Sequence, residues 1–191
     1  MKQFLIPWSL ISPGCLILIA SFLQTGQITW YPASDRMLSL AIYGAYWVMV
    51  SSLQSLLLWR VQGPSFALKW GLTTATTGFA LMLAHDLFVL DVLDVNIGWQ
   101  GSLFLILSLP ALAISGGVVL GFAQFRLIRH LYPANRHNYR LHRTWFLASW
   151  VSWGLSFFCI FFGNGGLLAL LSLAAIGTAL KGVFLRPYLG I

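Results

Sequence analysis

Basic side chains are concentrated in one short segment of this 191-residue chain. Five of the eleven Lys and Arg residues lie within eighteen positions, and they are Arg126, Arg129, Arg136, Arg140 and Arg143. The last three recur at spacings of four and three after Pro133, which places three guanidinium groups on one face of a helix. Guanidinium groups bind phosphate and carboxylate with paired hydrogen bonds. The segment is therefore predicted to bind anionic lipid head groups or a partner subunit, or else only to fix the orientation of the chain in a membrane.

Three of the four acidic residues lie together in a different segment. Asp86, Asp91 and Asp94 follow His85, and Trp99 comes shortly after them. The group falls near the end of a predicted span, where a carboxylate can be hydrated. Three interpretations stay open: a solvated rim, the mouth of a site for a cation or a polar substrate, and a contact with a partner or with the magnesium of a pigment through His85.

Aromatic residues form a stripe in the fifth predicted span. They are spaced by four, three, four and four residues, and they are Phe146, Trp150, Trp153, Phe157 and Phe161. A stripe at helical spacing most often packs against neighbouring helices. Flat hydrophobic ligands such as chlorophyll, carotenoid or quinone are the alternative, so a pigment cofactor stays open.

The sequence favours neither a metal site nor a stand-alone enzyme. Three histidines share the arginine-rich segment, but His137 and His142 are five residues apart, whereas a metal-binding pair on a helix favours a spacing of four. The arginines around them would also repel a cation. A glycine-rich phosphate loop, a zincin motif and a nucleophile elbow are missing from the sequence. No catalytic or metal-binding residues are predicted.

The elements that position these residues are predicted to be membrane-spanning helices. Hydrophobic residues make up 59% of the chain and charged residues 8%, against roughly 25% charged residues in soluble domains. Backbone groups in hydrocarbon must bond to one another, so apolar runs of about 20 residues are helices. The sequence predicts an all-α polytopic membrane protein with a single domain, 1–191, and spans near 4–23, 38–59, 66–88, 103–125, 145–162 and 166–185. The net charge of +7 is assigned to span ends, not to nucleic-acid binding.

Basic residues in the short connections predict the orientation. Besides the arginine-rich segment, they are Lys2, Arg60, Lys69, Lys181 and Arg186, and all of these fall on one side if there are six spans, which leaves only Arg36 on the other side. Both termini are therefore predicted to face the cytoplasm. The membrane is predicted to be the thylakoid or plasma membrane of a prokaryote.

Small residues mark the predicted contact faces of the helices. Span 4 carries Ala113, Gly117 and Gly121, and span 6 carries Ala174, Thr178 and Gly182, each at intervals of four. Span 3 carries Thr73, Thr74, Thr76 and Thr77, which are predicted to pack or to line a polar route.

Two predicted hairpins also share a pattern. Gln54, Arg60 and Trp70 in spans 2 and 3 correspond to Gln124, Arg129 and Trp145 in spans 4 and 5. Duplicated helical hairpins and chance similarity both stay open.

Part of the second hairpin carries a family resemblance. Its residues are Gly117, Gly121, Gln124, Ile128, Arg129, Trp145, Ala148, Ser149 and Trp153. This pattern resembles that of small, uncharacterised polytopic membrane proteins of cyanobacteria, over about a fifth of the chain. Phe125 and Ser152 depart from it, since the family usually has tryptophan and glycine there. The resemblance implies a photosynthetic prokaryote and supplies no catalytic residues.

Two functions follow as hypotheses. The first is a non-catalytic accessory subunit or assembly factor of a larger membrane complex, which would be photosynthetic and in contact with pigment. This subunit would bind lipids and other subunits. The hypothesis rests on a lack of polar groups in the middle of the predicted spans. The second is a small substrate-binding or transport protein resembling the substrate-capture subunits of energy-coupling-factor transporters. In the second hypothesis the acidic segment admits the ligand and the threonines of span 3 line its route.

Overall fold

The structure is a computed structural model that describes residues 2–22, 36–93, 115–129, 143–152 and 166–189. Apart from Gly63, all of these residues are helical, so the predicted all-α class is confirmed for them. The helices are α1 (Lys2–Phe22), α2 (Arg36–Gln62), α3 (Pro64–Leu93), α4 (115–129), α5 (143–152) and α6 (Gly166–Leu189). Within the described residues, one segment, Leu40–Gln62, is long and apolar enough to cross a membrane by length and composition.

The turn between α2 and α3 is a single residue. Gly63 has a φ of 85°, a left-handed conformation that glycine adopts without steric penalty. Its N–H donates to Trp59 O at 3.0 Å, and Ala67 N donates to Gly63 O at 3.2 Å. Pro64 then occupies the first position of α3, where its missing N–H and fixed φ are well tolerated. Both helices therefore run up to the turn, several residues beyond the predicted spans.

The six helices form a closed ring in chain order. Each helix contacts the next, and α6 contacts α1. The pairs that join successive helices are Ser12 with Tyr46, Gln54 with Trp70, Thr74 with Gln124, Gly121 with Ser149, Ser152 with Gly177, and Gly182 with Trp8.

Glycines of α4 and α6 allow two pairs of helices to approach closely, α4 with α5 and α6 with α1. A Cβ added at Gly121 would lie 2.7 Å from Ser149 Cβ, and one at Gly182 would lie 2.7 Å from Trp8 Cδ1. The prediction that small residues of spans 4 and 6 face other helices is therefore confirmed at these positions. Ala113 lies outside the described residues.

Three tryptophans form the core at one end of the ring. Trp8, Trp70 and Trp145 are each at most 1% exposed. The distance between ring centroids is 6.1 Å for Trp70 and Trp8, and 6.2 Å for Trp70 and Trp145. Buried apolar residues surround them: Phe4, Leu58, Phe66, Ala67, Phe125, Ile128, Leu185 and Leu189. This tryptophan layer lies near the end at which α1 and α3 begin, because Trp8 and Trp70 are each six residues from the first residue of their helix.

A three-part pattern relates the odd and the even helices. In each odd helix the tryptophan is followed four residues later by a hydroxyl residue: Ser12, Thr74 and Ser149. In each even helix a long polar residue stands four residues before a fully buried aliphatic one: Gln54 and Leu58, Gln124 and Ile128, Lys181 and Leu185. The similarity noted between two hairpins thus extends to the pair formed by α6 and α1. Duplication of the hairpins stays a prediction.

Candidate functional site

A layer of hydrogen-bonded polar residues lies next to the tryptophan layer. Trp70 Nε1 donates to Gln54 Oε1 at 3.0 Å, and Gln124 Nε2 donates to Thr74 Oγ1 at 3.0 Å. Lys181 Nζ donates to Gln124 Oε1 at 3.2 Å. Four helices, α2, α3, α4 and α6, therefore contribute to one polar layer in the interior of the ring.

Lys181 is the charged member of this layer. Its side chain is 9% exposed, and Nζ lies 6.0 Å from the ring centroid of Trp145. A cation–π contact contributes about 0.5–2 kcal/mol, whereas burial of an ion costs several kcal/mol. Within the part of the chain that the structure describes, no carboxylate contacts Lys181. The ammonium is thus a buried charge that its neighbours compensate only in part.

A cavity of about 60 Å³ adjoins the Lys181 side chain. Residues of all six helices line it: Ser12, Tyr46, Trp47, Val50, Gln54, Thr74, Leu120, Gln124, Ser152, Thr178 and Lys181. Along α2 the lining extends from Tyr46 to Gln54, which is about 12 Å at 1.5 Å per residue. The cavity therefore begins at the polar layer and extends along the helices in the direction away from the tryptophan layer.

Hydroxyl groups complete the polar surface around the cavity. Ser12 Oγ and Tyr46 Oη share a hydrogen bond of 2.6 Å, and Thr178 Oγ1 donates to Ala174 O at 2.6 Å. The hydroxyl hydrogen that the Ser12–Tyr46 bond leaves unused can be donated to water or to a polar ligand in the cavity.

The polar layer lies about two-thirds of the way along α2 and α6. Gln54 is eight residues before the end of α2, and Lys181 is eight residues before the end of α6, which is about 12 Å in each case. The expectation that the middle of the spans lacks polar groups concerns depth in a membrane and stays a prediction. On the basis of the sequence, Lys181 is assigned to the charges of the C-terminal end of the chain. In the structure α6 continues to Leu189, so Lys181 lies within this helix and not at its end.

The predicted arginine cluster is described at three of its five positions. Arg126, Arg129 and Arg143 are exposed at the end of the ring that carries the tryptophan layer. The guanidinium of Arg126 lies 5.2 Å from the centroid of Phe122, which is itself half exposed. Arg136 and Arg140 lie outside the described residues. The three exposed guanidinium groups are at some distance from the cavity, and lipid or partner binding by them stays a prediction.

The other predicted groups have little described structure. His85, Asp86 and Asp91 belong to the last turns of α3, and Asp94 and Trp99 lie outside the described residues. Of the aromatic stripe, α5 contains Phe146, which is partly buried against Phe122 and Phe125, and Trp150, which is 40% exposed. The remaining members, Trp153, Phe157 and Phe161, are outside the described residues. None of the described members lines the cavity.

Of the four threonines singled out in span 3, Thr74 lines the cavity. Thr76 is exposed and donates to Leu72 O at 2.7 Å within its own helix. Sequence reasoning missed Lys181, although an ionisable residue within an apolar run is a signal of function. The repeated glutamine at 54 and 124 was noticed as a similarity between hairpins and not as part of a site.

Comparison with protein-family models, curated proteins and solved structures gives no match. The residues that carry the cyanobacterial resemblance are mainly helix contacts in the structure. Trp145 Nε1 donates to Gly121 O at 2.9 Å, and Gly121 lies against Ser149. Gln124 is the exception, because it bonds to Lys181 in the polar layer.

Proposed function

We propose that this chain is a six-helix membrane protein that binds a small polar solute in the cavity between its helices, as substrate-capture and transport proteins do. The observation that carries the proposal is Lys181, a buried ammonium beside a cavity lined by residues of all six helices. A protein that only packs against partner subunits has no need of such a group, because its burial is unfavourable.

The distribution of apolar side chains supports the membrane part of the proposal. Large apolar side chains are exposed on all six helices, for example Leu10, Leu56, Leu72, Val119, Leu147 and Ile176, each between 48% and 58% exposed. The interior holds glutamine, threonine, serine and lysine beside the apolar tryptophan layer. Exposed apolar surface of this extent is unfavourable in water and favourable in lipid. Both termini on the cytoplasmic side stay the predicted orientation, to be tested with reporters fused to each end.

The small-residue faces support a cavity protein more than an accessory subunit. Gly121 and Gly182 are occupied by contacts within the chain itself, so they are not offered to a partner. The accessory-subunit hypothesis, with its photosynthetic complex and pigment, stays a prediction that no described contact favours. It would gain support if the chain were isolated as a constituent of a pigmented complex.

Filling the cavity tests the proposed function. Leu120 lines the cavity and is 3% exposed, whereas its neighbour Val119 faces outward and is 48% exposed. We expect a panel of small polar solutes, neutral and charged, to contain members that raise the unfolding temperature of the purified wild-type protein. Leu120→Phe should abolish this stabilisation, and Val119→Phe should retain it. Solutes that stabilise all three proteins equally, or none of them, would contradict the proposal.

A further inference from the structure

We infer that the ligand of the cavity is a small monovalent anion that accepts hydrogen bonds, such as formate, acetate or nitrate. The inference rests on the proposed function, because it names the class of ligand for the same cavity. It is carried by the hydrogen-bonding groups of the lining, by their charge and by the volume available.

Two donor-only groups fix the orientation of the glutamine amides. An indole N–H and an ammonium donate hydrogen bonds and cannot accept them. Gln54 must therefore present Oε1 to Trp70, and Gln124 must present Oε1 to Lys181. The amide nitrogen of Gln124 is then directed to Thr74 Oγ1. The amide nitrogen of Gln54 has no acceptor among the described residues, although Gln54 lines the cavity.

The lining consequently offers several donors that no described acceptor uses. Lys181 has three N–H groups and uses one for Gln124, and Gln54 has two N–H groups without described acceptors. The hydroxyls of Ser12 and Tyr46 share one hydrogen bond, which leaves one of their two hydrogens available. Each amide oxygen already accepts one bond. A ligand that accepts several hydrogen bonds therefore fits these unused donors, the ammonium above all.

The charge of the lining points to the same class. The four acidic residues of the chain are Asp35, Asp86, Asp91 and Asp94. Asp86 is twelve residues beyond Thr74 in α3, about 18 Å along the helix, and Asp91 lies further along the same helix. Both are therefore remote from the polar layer along α3, whereas Asp35 and Asp94 lie outside the described residues. A bound anion would supply the negative charge that Lys181 lacks among the described residues.

The volume limits the size of the anion. A water molecule needs about 10–15 Å³ of such space, so a cavity of about 60 Å³ holds about four waters. Formate, acetate and nitrate, with three or four heavy atoms each, are of this size. Gluconate is much larger than this volume, so it serves as the reference anion.

Titration with small anions tests the inference. The purified full-length protein is titrated with sodium formate, acetate and nitrate, with sodium gluconate added to hold the ionic strength constant, and the unfolding temperature is followed. We expect at least one small anion to stabilise the wild-type protein. Lys181→Gln should weaken its apparent affinity by about tenfold or more, since it removes a charge-assisted hydrogen bond. Lys69→Gln is the matched control, because Lys69 is an exposed cation of α3, and it should leave the affinity unchanged.

Lys181→Gln is suited to this test because glutamine already occupies the matching positions 54 and 124. Retention of a single folded species is checked by gel filtration, and Lys181→Arg, which keeps the charge, should preserve binding if Lys181→Gln does not fold. Formamide and acetamide, neutral molecules of similar size, separate the two proposals. If they stabilise the wild-type protein but not Leu120→Phe, and the anions do not, the anion inference is overturned and the proposed function stands. If neither the anions nor the amides bind, the anion inference is overturned, and the solute panel with Leu120→Phe decides the proposed function.

Discussion

Alanine at position 177 is expected to push α5 and α6 apart and to destabilise the ring. A Cβ there would lie 2.8 Å from Ser152 Oγ, 2.9 Å from Ser152 Cα and 3.1 Å from Ser152 O. Carbon atoms pack best at about 3.5–4.0 Å, so the contact with Cα alone requires a shift of about 0.6 Å or more. Because Cα and O belong to the backbone, a change of side-chain rotamer cannot relieve the contact.

The expected loss combines two effects of opposite sign. Overpacking of this kind costs about 1–3 kcal/mol, and replacing glycine by alanine inside a helix returns about 1 kcal/mol. We expect Gly177→Ala to lower the free energy of unfolding by up to about 2 kcal/mol. Gly14 is the matched control, because it is helical and a Cβ there would meet no atom within 4 Å. Gly14→Ala should raise the free energy of unfolding by about 0.5–1 kcal/mol.

Both variants can be measured by unfolding the purified protein from a mild detergent with increasing mole fractions of dodecyl sulfate, followed by circular dichroism. The two substitutions are chemically identical, so the difference between them reports the close approach of α5 to α6. If Gly177→Ala stabilised the protein as much as Gly14→Ala does, the contact between Gly177 and Ser152 would be refuted.

Three further predictions use the same preparation. Trp70→Phe removes the described donor to Gln54 Oε1 and should lower the free energy of unfolding by about 1–3 kcal/mol. Adding Gln54→Leu should restore part of this loss in the double variant. A double variant whose loss equals the sum of the two single losses would contradict the pairing. Gly63→Ala should cost about 1–2 kcal/mol because φ is positive there, and Gly63→Asn should cost less; equal stability of all three proteins would argue against this turn. Cys15 is 0% exposed, so in a Cys159→Ser background a maleimide should react only after denaturation, and rapid labelling of the folded protein would show that the residue is accessible.

Much of the framework is predictable because it depends on local properties of the sequence. Apolar runs give the helices, and the spacing of small residues gives contact faces such as the one that contains Gly121. The predicted spans 38–59 and 66–88 stop short of the turn that joins α2 to α3. The mean hydropathy falls at Arg60 and Lys69, whereas the backbone hydrogen bonds continue to Gly63.

The candidate site was not predictable in the same way. Lys181 lies near the end of the predicted span 166–185, so its charge was assigned to the surface. Only the contacts of α6 with α4 place it inside, and these join residues 57 positions apart. Sequence spacing gives the face of a helix on which a residue lies. It does not give the side from which another helix approaches, and burial depends on that.

The three-part pattern has a consequence for how a ligand would be oriented. Gln54, Gln124 and Lys181 stand at matching positions of the even helices. Three identical amides would offer a ligand three equivalent poses. The single ammonium of Lys181 makes the three poses unequal, because it places the positive charge of the cavity on the side of α6. A nearly symmetric framework would thereby gain a fixed polarity, and a bound molecule would have one preferred pose.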